Sequence, residues 1–288
     1  MIDAQDRPSA RQSKPLGRLY LVATPIGNLR DITLRALDVL RDADVIACED
    51  TRTSGKLMAH YDIKTHLISY HEHNGEQMRP KLLARLALGE SVALISDAGT
   101  PLISDPGYKL VRAAQEAGHG VVPLPGACAA TVALCAGGLP TDHFAFLGFL
   151  PPKQNARWAL LQSVKGFSGT LVVYESPKRI VKTLQEIQEI LGAREVVLAR
   201  ELTKHFEEII RAPIAELTQQ LESRPSIKGE VVLLIGAGSA AVFDDATLDE
   251  MLMAALKEHG TKQAAALVSA QTGVAKSELY ARALELKA

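Results

Sequence analysis

Between Leu19 and Leu124 five short apolar runs, LYLVA, ADVIA, HLISY, VALIS and GVVPL, recur about every 25 residues, and most intervals between them carry helical periodicity. Runs of that length and composition are buried strands, and the intervals are long enough for crossover helices. The pattern therefore predicts a parallel α/β sheet. Three helices have visible limits. Ala36, Leu37 and Leu40 share a stripe after Asp31; Leu82, Leu83 and Leu86 lie between Pro80 and Gly89; Leu110, Val111 and Ala114 run up to Gly118. The fourth run opens the most informative stretch, VALISDAGTPLISDPGYKLV, Val92 to Val111. A strand breaks there into a turn holding Gly99 and Pro101, and Asp105 is expected to cap a helix with Pro106 at its first position. In an open α/β sheet such a strand, loop and helix hold a ligand outside the carboxyl ends of the strands.

PLPG, Pro123 to Gly126, punctuates the chain, and the small residues of ACAATVALCAGG after it suit a tightly packed connecting helix. Beyond it the runs FAFLGFL, TLVVYE, EVVLARE, FEEIIR and EVVLLI predict a second α/β domain. EVVLARE and FEEIIR are too close for a crossover helix, so this sheet should be mixed or antiparallel. After Ala240 the strand signal ends, and three helices are expected at roughly 247–258, 262–271 and 276–287. The last two have the layout of a helix-turn-helix, with Leu279 facing inward; a helical cap or dimerisation element that never touches nucleic acid is the alternative. The expected division is a disordered tail at 1–17, α/β domains at 18–125 and 126–240, and a helical domain at 241–288.

Composition restricts the partners. The 288 residues carry 32 basic and 33 acidic side chains, a formal net charge of −1, so contact with a polyanion must be local rather than driven by the whole molecule. No apolar stretch reaches the roughly 20 residues of a membrane helix, and MIDAQDRPSARQSKPLG lacks the apolar core of a signal peptide; a cytoplasmic protein is expected. Cys48, Cys128 and Cys135 are too scattered for a disulfide framework or a CxxC site. His71, Glu72 and His73 lack a further placed ligand, so no metal is expected. GAGSAA at Gly236 to Ala241 formally fits a dinucleotide fingerprint, but only helices follow it, and it reads as a linker. No GxSxG elbow supports a triad hydrolase.

Glu49, Asp50 and Arg52 in ACEDTR follow one strand end, and Tyr174, Glu175 and Ser176 in VVYESPKR follow another. Carboxylates so placed either face the ligand crevice or cap the next helix, and both readings stay open. By composition, the basic clusters Lys153 to Arg157 and Lys178 to Lys182 read as solvated helix faces.

Taken in order, LVATPIGNLRDITLRAL, CEDTR, HEHN, SDAGTPLISDPG, PLPGACAA, GFLP, YESPKR, ARELTK and KGEVVLLI resemble the ribosomal RNA small-subunit methyltransferase I family nearly end to end. That family is a branch of the tetrapyrrole-methylase-like, class III methyltransferases. The resemblance implies two α/β domains with S-adenosylmethionine (AdoMet) in the cleft between them, a small helical C-terminal domain, and a homodimer. The implied reaction is 2′-O-methylation of a cytidine ribose in the 16S rRNA of the small ribosomal subunit, cytidine 1402 of the decoding region.

The resemblance also implies roles for particular residues. Cofactor contacts fall on Pro25, Ala98, Gly99, Thr100, Ile103, Cys128, Ala129, Glu175 and Leu202, with Asp97 near the polar end of AdoMet. Thr100 stands where the wider superfamily usually has Asp, and TPIGN replaces its Gly-Pro-Gly-Asp loop. The EDTR and HEHN segments set the chain apart from the porphyrin enzymes and favour RNA as substrate. Candidates for the group that takes the ribose proton are Glu49, Asp50, His71 and Glu175, in no order. Arg52, Lys153, Arg157, Lys178, Arg179 and Lys204 are candidate phosphate contacts, and Lys262, Lys276 and Arg282 could add others. Two rival readings remain: a tetrapyrrole C-methyltransferase with the same fold and cofactor, and a helix-turn-helix DNA regulator whose α/β part senses a ligand.

Overall fold

The computed structural model describes residues 17–238, 245–272 and 274–287. Its first sheet contains β1 (Arg18–Val22), β2 (Val45–Cys48), β3 (Leu67–Ser69), β4 (Val92–Ile95) and β5 (Gly120–Leu124), in the order β3-β2-β4-β1-β5. β1 pairs in parallel with β4 and β5, and β2 with β3 and β4, as the apolar runs predict. Successive side chains serve opposite faces. Ile46, Cys48, Ala93 and Ile95 pack with α1 (Leu34–Asp42) and α2 (Thr51–His60), whereas Val45, Ala47, Val92 and Leu94 pack with α3 (Gly75–Ala87) and α4 (Tyr108–Glu116). Helices therefore cover both faces, which is why these strands lack polar alternation. The small-residue helix after PLPG is α5 (Ala129–Gly137).

Helix limits depart from the sequence expectation in three places. α1 starts at Leu34, beyond Asp31, with Thr33 as its cap, the Oγ1 accepting from Ala36 N–H at 3.1 Å. The third helix starts at Gly75 and runs through Pro80. Asp105 is not a cap, because α4 begins at Tyr108 behind Gly107, whose φ of 137° excludes ordinary residues. A Cβ on Gly107 would also lie 2.9 Å from Leu94 Cδ2. The close approach of that turn to β4 thus decides where the helix starts.

The second sheet contains β6 (Phe144–Phe149), β7 (Thr170–Glu175), β8 (Glu195–Arg200), β9 (Glu208–Pro213) and β10 (Val231–Ile235), in the order β6-β7-β10-β8-β9. β6 and β7 are parallel, with an irregularity between Phe146 and Gly148. β8 and β9 are neighbours joined only by residues 201–207, and ion pairs link Arg200 to Glu208 at 2.9 Å and Arg211 to Glu195 at 2.7 Å. One residue number rises as its partner's falls, which is antiparallel pairing; the sheet is mixed, as expected. The helices α6 (Gln154–Ser163), α7 (Ile180–Leu191) and α8 (Ile214–Glu222) lie between these strands in sequence.

Three further helices, α9 (Asp245–Glu258), α10 (Thr261–Thr272) and α11 (Lys276–Glu285), share a small core of Leu248, Leu252, Ala265, Val268, Leu279 and Ala283. Leu279 faces inward as its position predicts. Arg282 pairs with Asp249 at 2.6 Å and with Asp245, so it braces α11 against α9.

Backbone contacts divide the chain into two units, one of 1–136, 199–209 and 229–232, the other of 137–198, 210–228 and 233–288. Gly17, assigned to the tail by sequence, is buried and donates to Leu86 O at 2.9 Å. The rest of the expected tail, the boundary at 240 and the end of GAGSAA lie outside the described residues. No described helix is long and apolar enough to cross a membrane.

Candidate functional site

Three neighbouring strand ends in the first unit are tied together through backbone. Thr24 N–H donates to Gly99 O at 2.9 Å, and Gly99 N–H returns a bond to Thr24 O at 3.0 Å, linking the loops after β1 and β4. Thr24 Oγ1 donates to Ser96 O and Ser96 Oγ to Gly99 O, both at 3.1 Å. Thr100 Oγ1 reaches the loop after β5, donating to Ala127 O at 3.0 Å. Glycine is required at the closest approaches. Gly99 has φ 83°, and a Cβ on Gly126 would sit 2.6 Å from Ala23 Cβ.

The structure gathers most of the expected cofactor residues on these loops. Pro25, Thr100, Cys128 and Ala129 are half-buried, while Asp97, Ala98 and Ile103 are exposed. Leu202 is buried, and the segment it begins packs on TPIGN: Asn28 N–H donates to Thr203 Oγ1 at 3.1 Å, and a Cβ on Gly27 would lie 3.0 Å from Leu202 O. Walls of backbone and small uncharged side chains with one exposed carboxylate fit AdoMet, an adenosine carrying an amino-acid tail.

Acidic groups gather beside these loops. Asp50 N–H donates to Asp97 Oδ1 at 3.1 Å. The Asp50 carboxylate caps α2 and accepts from the Arg52 guanidinium at 3.1 and 2.7 Å; these bonds hold it down at about 2. Asp50 is thus a helix cap with a cation of its own. Burial pushes the Glu49 carboxyl up, and the charges of Asp97 and Asp50 act in the same direction, while His71 opposes them. Burial first, then the Glu49 and Asp97 charges, push Asp105 up to about 6. Among the described residues Glu49, Asp97 and Asp105 form no ion pair.

His71 sits in a closed turn. Its N–H donates to Asn74 Oδ1 at 2.9 Å, its Nδ1 accepts from Asn74 N–H at 3.3 Å, and Asn74 Nδ2 donates to Ser69 O at 3.0 Å. The His71 and His73 rings meet edge to face, 6.0 Å apart. No cluster of three or more His, Cys, Asp or Glu capable of holding a metal occurs among the described residues.

The carboxylates of the second unit are different. Glu175, at the end of β7, is buried and accepts from Ser176 N–H, from Arg179 Nε at 2.9 Å and from Thr183 Oγ1 at 2.7 Å. Both its oxygens are engaged, and Arg179 is committed to Glu175. Arg157, expected on a solvated face or a phosphate, is only 4% exposed; it bonds to Glu186 at 2.8 Å and to Pro151 O at 2.9 Å. In the first unit Lys204 is similarly occupied, by Glu201 at 2.8 Å and Glu230 at 2.9 Å. Of the expected phosphate contacts, Arg52, Lys153 and Lys178 are exposed.

Two features escaped the sequence reading. Asp105 joins the acidic group instead of capping a helix. Phe149, 60% exposed, stacks edge to face on Tyr174 with centroids 5.4 Å apart, and Phe146 meets the same ring at 4.9 Å. The available signal was three aromatics in FAFLGF, interrupted by the glycine at which the strand register slips.

Residues 18–218 match the family model of tetrapyrrole (corrin/porphyrin) methylases, and residues 243–287 that of an RsmI C-terminal HTH domain. Solved structures share the fold. A uroporphyrin-III-C-methyltransferase from Thermus thermophilus aligns with TM-score 0.52 and 24% identity, covering 76% of this chain and 94% of that one. Diphthine synthase aligns with TM-score 0.61 and 13% identity, covering 76% and 90%. The architecture is therefore that of the tetrapyrrole methylase class, with a helical C-terminal domain. Curated proteins named ribosomal RNA small subunit methyltransferase I are similar over nearly the whole length. The one from Vibrio cholerae is 51% identical, covering 93% of this chain and 94% of its own. Those of Escherichia coli O157:H7 and Mesorhizobium japonicum are 50% and 47% identical, each over 93% of this chain and over 95% and 92% of their own. The chain belongs to the ribosomal RNA small subunit methyltransferase I family.

Proposed function

We propose that the protein transfers a methyl group from AdoMet to the ribose 2′-hydroxyl of a cytidine in the decoding region of 16S rRNA, as a cytoplasmic homodimer. The observation that carries this reading is the 47–51% identity, across 93% of the chain, to curated small-subunit rRNA methyltransferases. The strand-end chemistry supports it. Pro25, Ala98, Gly99, Thr100, Ile103, Cys128, Ala129 and Leu202 would hold AdoMet, with Asp97 toward its polar end. Bound there, AdoMet supplies an electrophilic methyl group. The protein's part is placement: holding the attacking oxygen about 3 to 3.5 Å from that carbon, in line, is worth roughly 7 to 11 kcal/mol.

Of the residues expected to take the ribose proton, Glu49 suits the task best, since Asp50 and Glu175 already hold arginines. Arg52, Lys153 and Lys178 would meet phosphates, and the exposed Phe149 ring offers a face to an unstacked base. The domain limits at 125 and 240 are part of the proposal.

Radiolabelled AdoMet, purified protein and small-subunit RNA with either a ribose or a 2′-deoxyribose at the target cytidine test the reading. Label is expected on the ribose substrate alone. Equal transfer to the deoxy substrate, or transfer to a tetrapyrrole in place of RNA, overturns it.

A further inference from the structure

The turn around His71 limits what that ring can do. A neutral imidazole carries one proton, and a nitrogen that accepts a hydrogen bond is the one without it. Asn74 N–H is shared between His71 O at 3.2 Å and His71 Nδ1 at 3.3 Å, and an Nδ1 that accepts leaves the proton on Nε2. The arrangement is enforced by the Asn74 side chain, whose Oδ1 takes the His71 N–H while its Nδ2 is tied to Ser69 O at the end of β3. Both amide atoms are used, and both hold the residue 71–74 backbone in the shape that points Asn74 N–H at the ring.

We propose that Asn74 is a positioning residue that fixes His71 as a hydrogen-bond donor through Nε2, and that Glu49 rather than His71 accepts the ribose proton. The proposal rests on the methyl-transfer reading above. The donor Nε2–H is suited to a lone pair of the ribose oxygen, orienting the hydroxyl so that its own proton faces the carboxylate. In the transfer, the ribose O–H bond breaks and its proton passes to Glu49. The oxygen keeps that electron pair and forms the new O–C bond, while the pair of the breaking C–S bond leaves with sulfur. Glu49 directly follows β2, whose Cys48 pairs with Ser69 of β3 just before the His71 turn, and it forms no ion pair among the described residues, so its carboxylate is free to take the proton.

The tautomer can be read without any reaction. In protein labelled with ¹⁵N-histidine, long-range ¹H–¹⁵N spectra should show His71 protonated at Nε2. Asn74→Ala should shift it toward a mixture of tautomers and lower single-turnover methyl transfer about tenfold. A wild-type ring protonated at Nδ1, or a tautomer unchanged by Asn74→Ala, overturns the Asn74 assignment. Substitution then separates donor from base. His71→Gln, whose amide nitrogen can stand near the Nε2 position, should keep most of the rate, and His71→Asn should keep less. Glu49→Gln should lose about 10²- to 10⁴-fold. Equal loss in both His71 variants, or a Glu49→Gln enzyme near the wild-type rate, overturns the base assignment. Wild-type protein that methylates no RNA overturns the functional reading and the base assignment with it, while the tautomer still decides the role of Asn74.

Discussion

Glu49, Asp97 and Asp105 of the first unit stand without cations, whereas Glu175 and Glu186 of the second are consumed by arginine. Burial raises the proton affinity of Glu49 and of Asp105, and the charge of Asp97 adds to it at both, as that of Glu49 does at Asp105. Glu175 and Glu186 are buried against Arg179 and Arg157, and the latter pair holds Glu186 below the usual carboxylate range. Completed pairs brace a fold and leave little for a ligand to gain. Uncompensated carboxylates raise the energy of the free protein and relax it when a proton or a donor arrives, which is a frequent property of functional sites.

The largest expected effect breaks the second region. Arg157→Ala leaves Glu186 buried without its partner and should cost about 3–5 kcal/mol in urea unfolding. A loss below about 1 kcal/mol would show that the pair is solvated rather than structural. The same measurement on Glu49→Gln sharpens the contrast: near pH 7 its stability should stay within about 1 kcal/mol of wild type or exceed it, although activity falls.

Asp105→Asn comes next, and its sign depends on pH. The folded chain holds the Asp105 proton more tightly than the unfolded chain does, at about 6 against 3.8. That contribution is fully present below about pH 4 and is lost as the pH rises through 6. Removing the charge should therefore stabilise the protein by ~1–2 kcal/mol at pH 7.5, allowing for partial screening, and hardly at all at pH 4. Equal urea midpoints for variant and wild type at pH 7.5 would mean that the acidic group is relieved by solvent.

The smallest effect concerns the cations left over. Lys178→Ala should lower the slope of log affinity for RNA against log salt by about one and leave unfolding unchanged, as should Lys153→Ala. A slope unmoved by both substitutions removes them from the phosphate contacts. Phe149→Ala should weaken RNA binding by about 1–3 kcal/mol, and the loss should persist in high salt, because stacking is not a charge effect.

Much of this was legible in the sequence. TLVVYE corresponds residue for residue to β7, and the closeness of EVVLARE to FEEIIR foretold a mixed second sheet. Strand-end loops were readable because Gly99 and Gly126 mark close backbone approaches. The role of Asp105 was not readable, since Asp-Pro before an apolar stripe has the composition of a helix start; a glycine pressed against Leu94 moved that start to Tyr108. Arg157 misled for a related reason, because in the sequence KQNAR it closes a polar run that reads as an exposed helix start.

By itself the sequence determined the layers: which segments are strands, which are helices, and where loops approach one another closely. Those follow from periods of 2 and 3.6 residues and from glycine's backbone freedom, all of them local properties. Only the tertiary structure decided which charges are spent. Arg157 meets Glu186 across 29 positions and Asp50 meets Asp97 across 47, and no local pattern records such encounters. Whether a carboxylate is a brace or a reagent depends on whether folding brings it a cation, and that is settled by what packs around it in three dimensions.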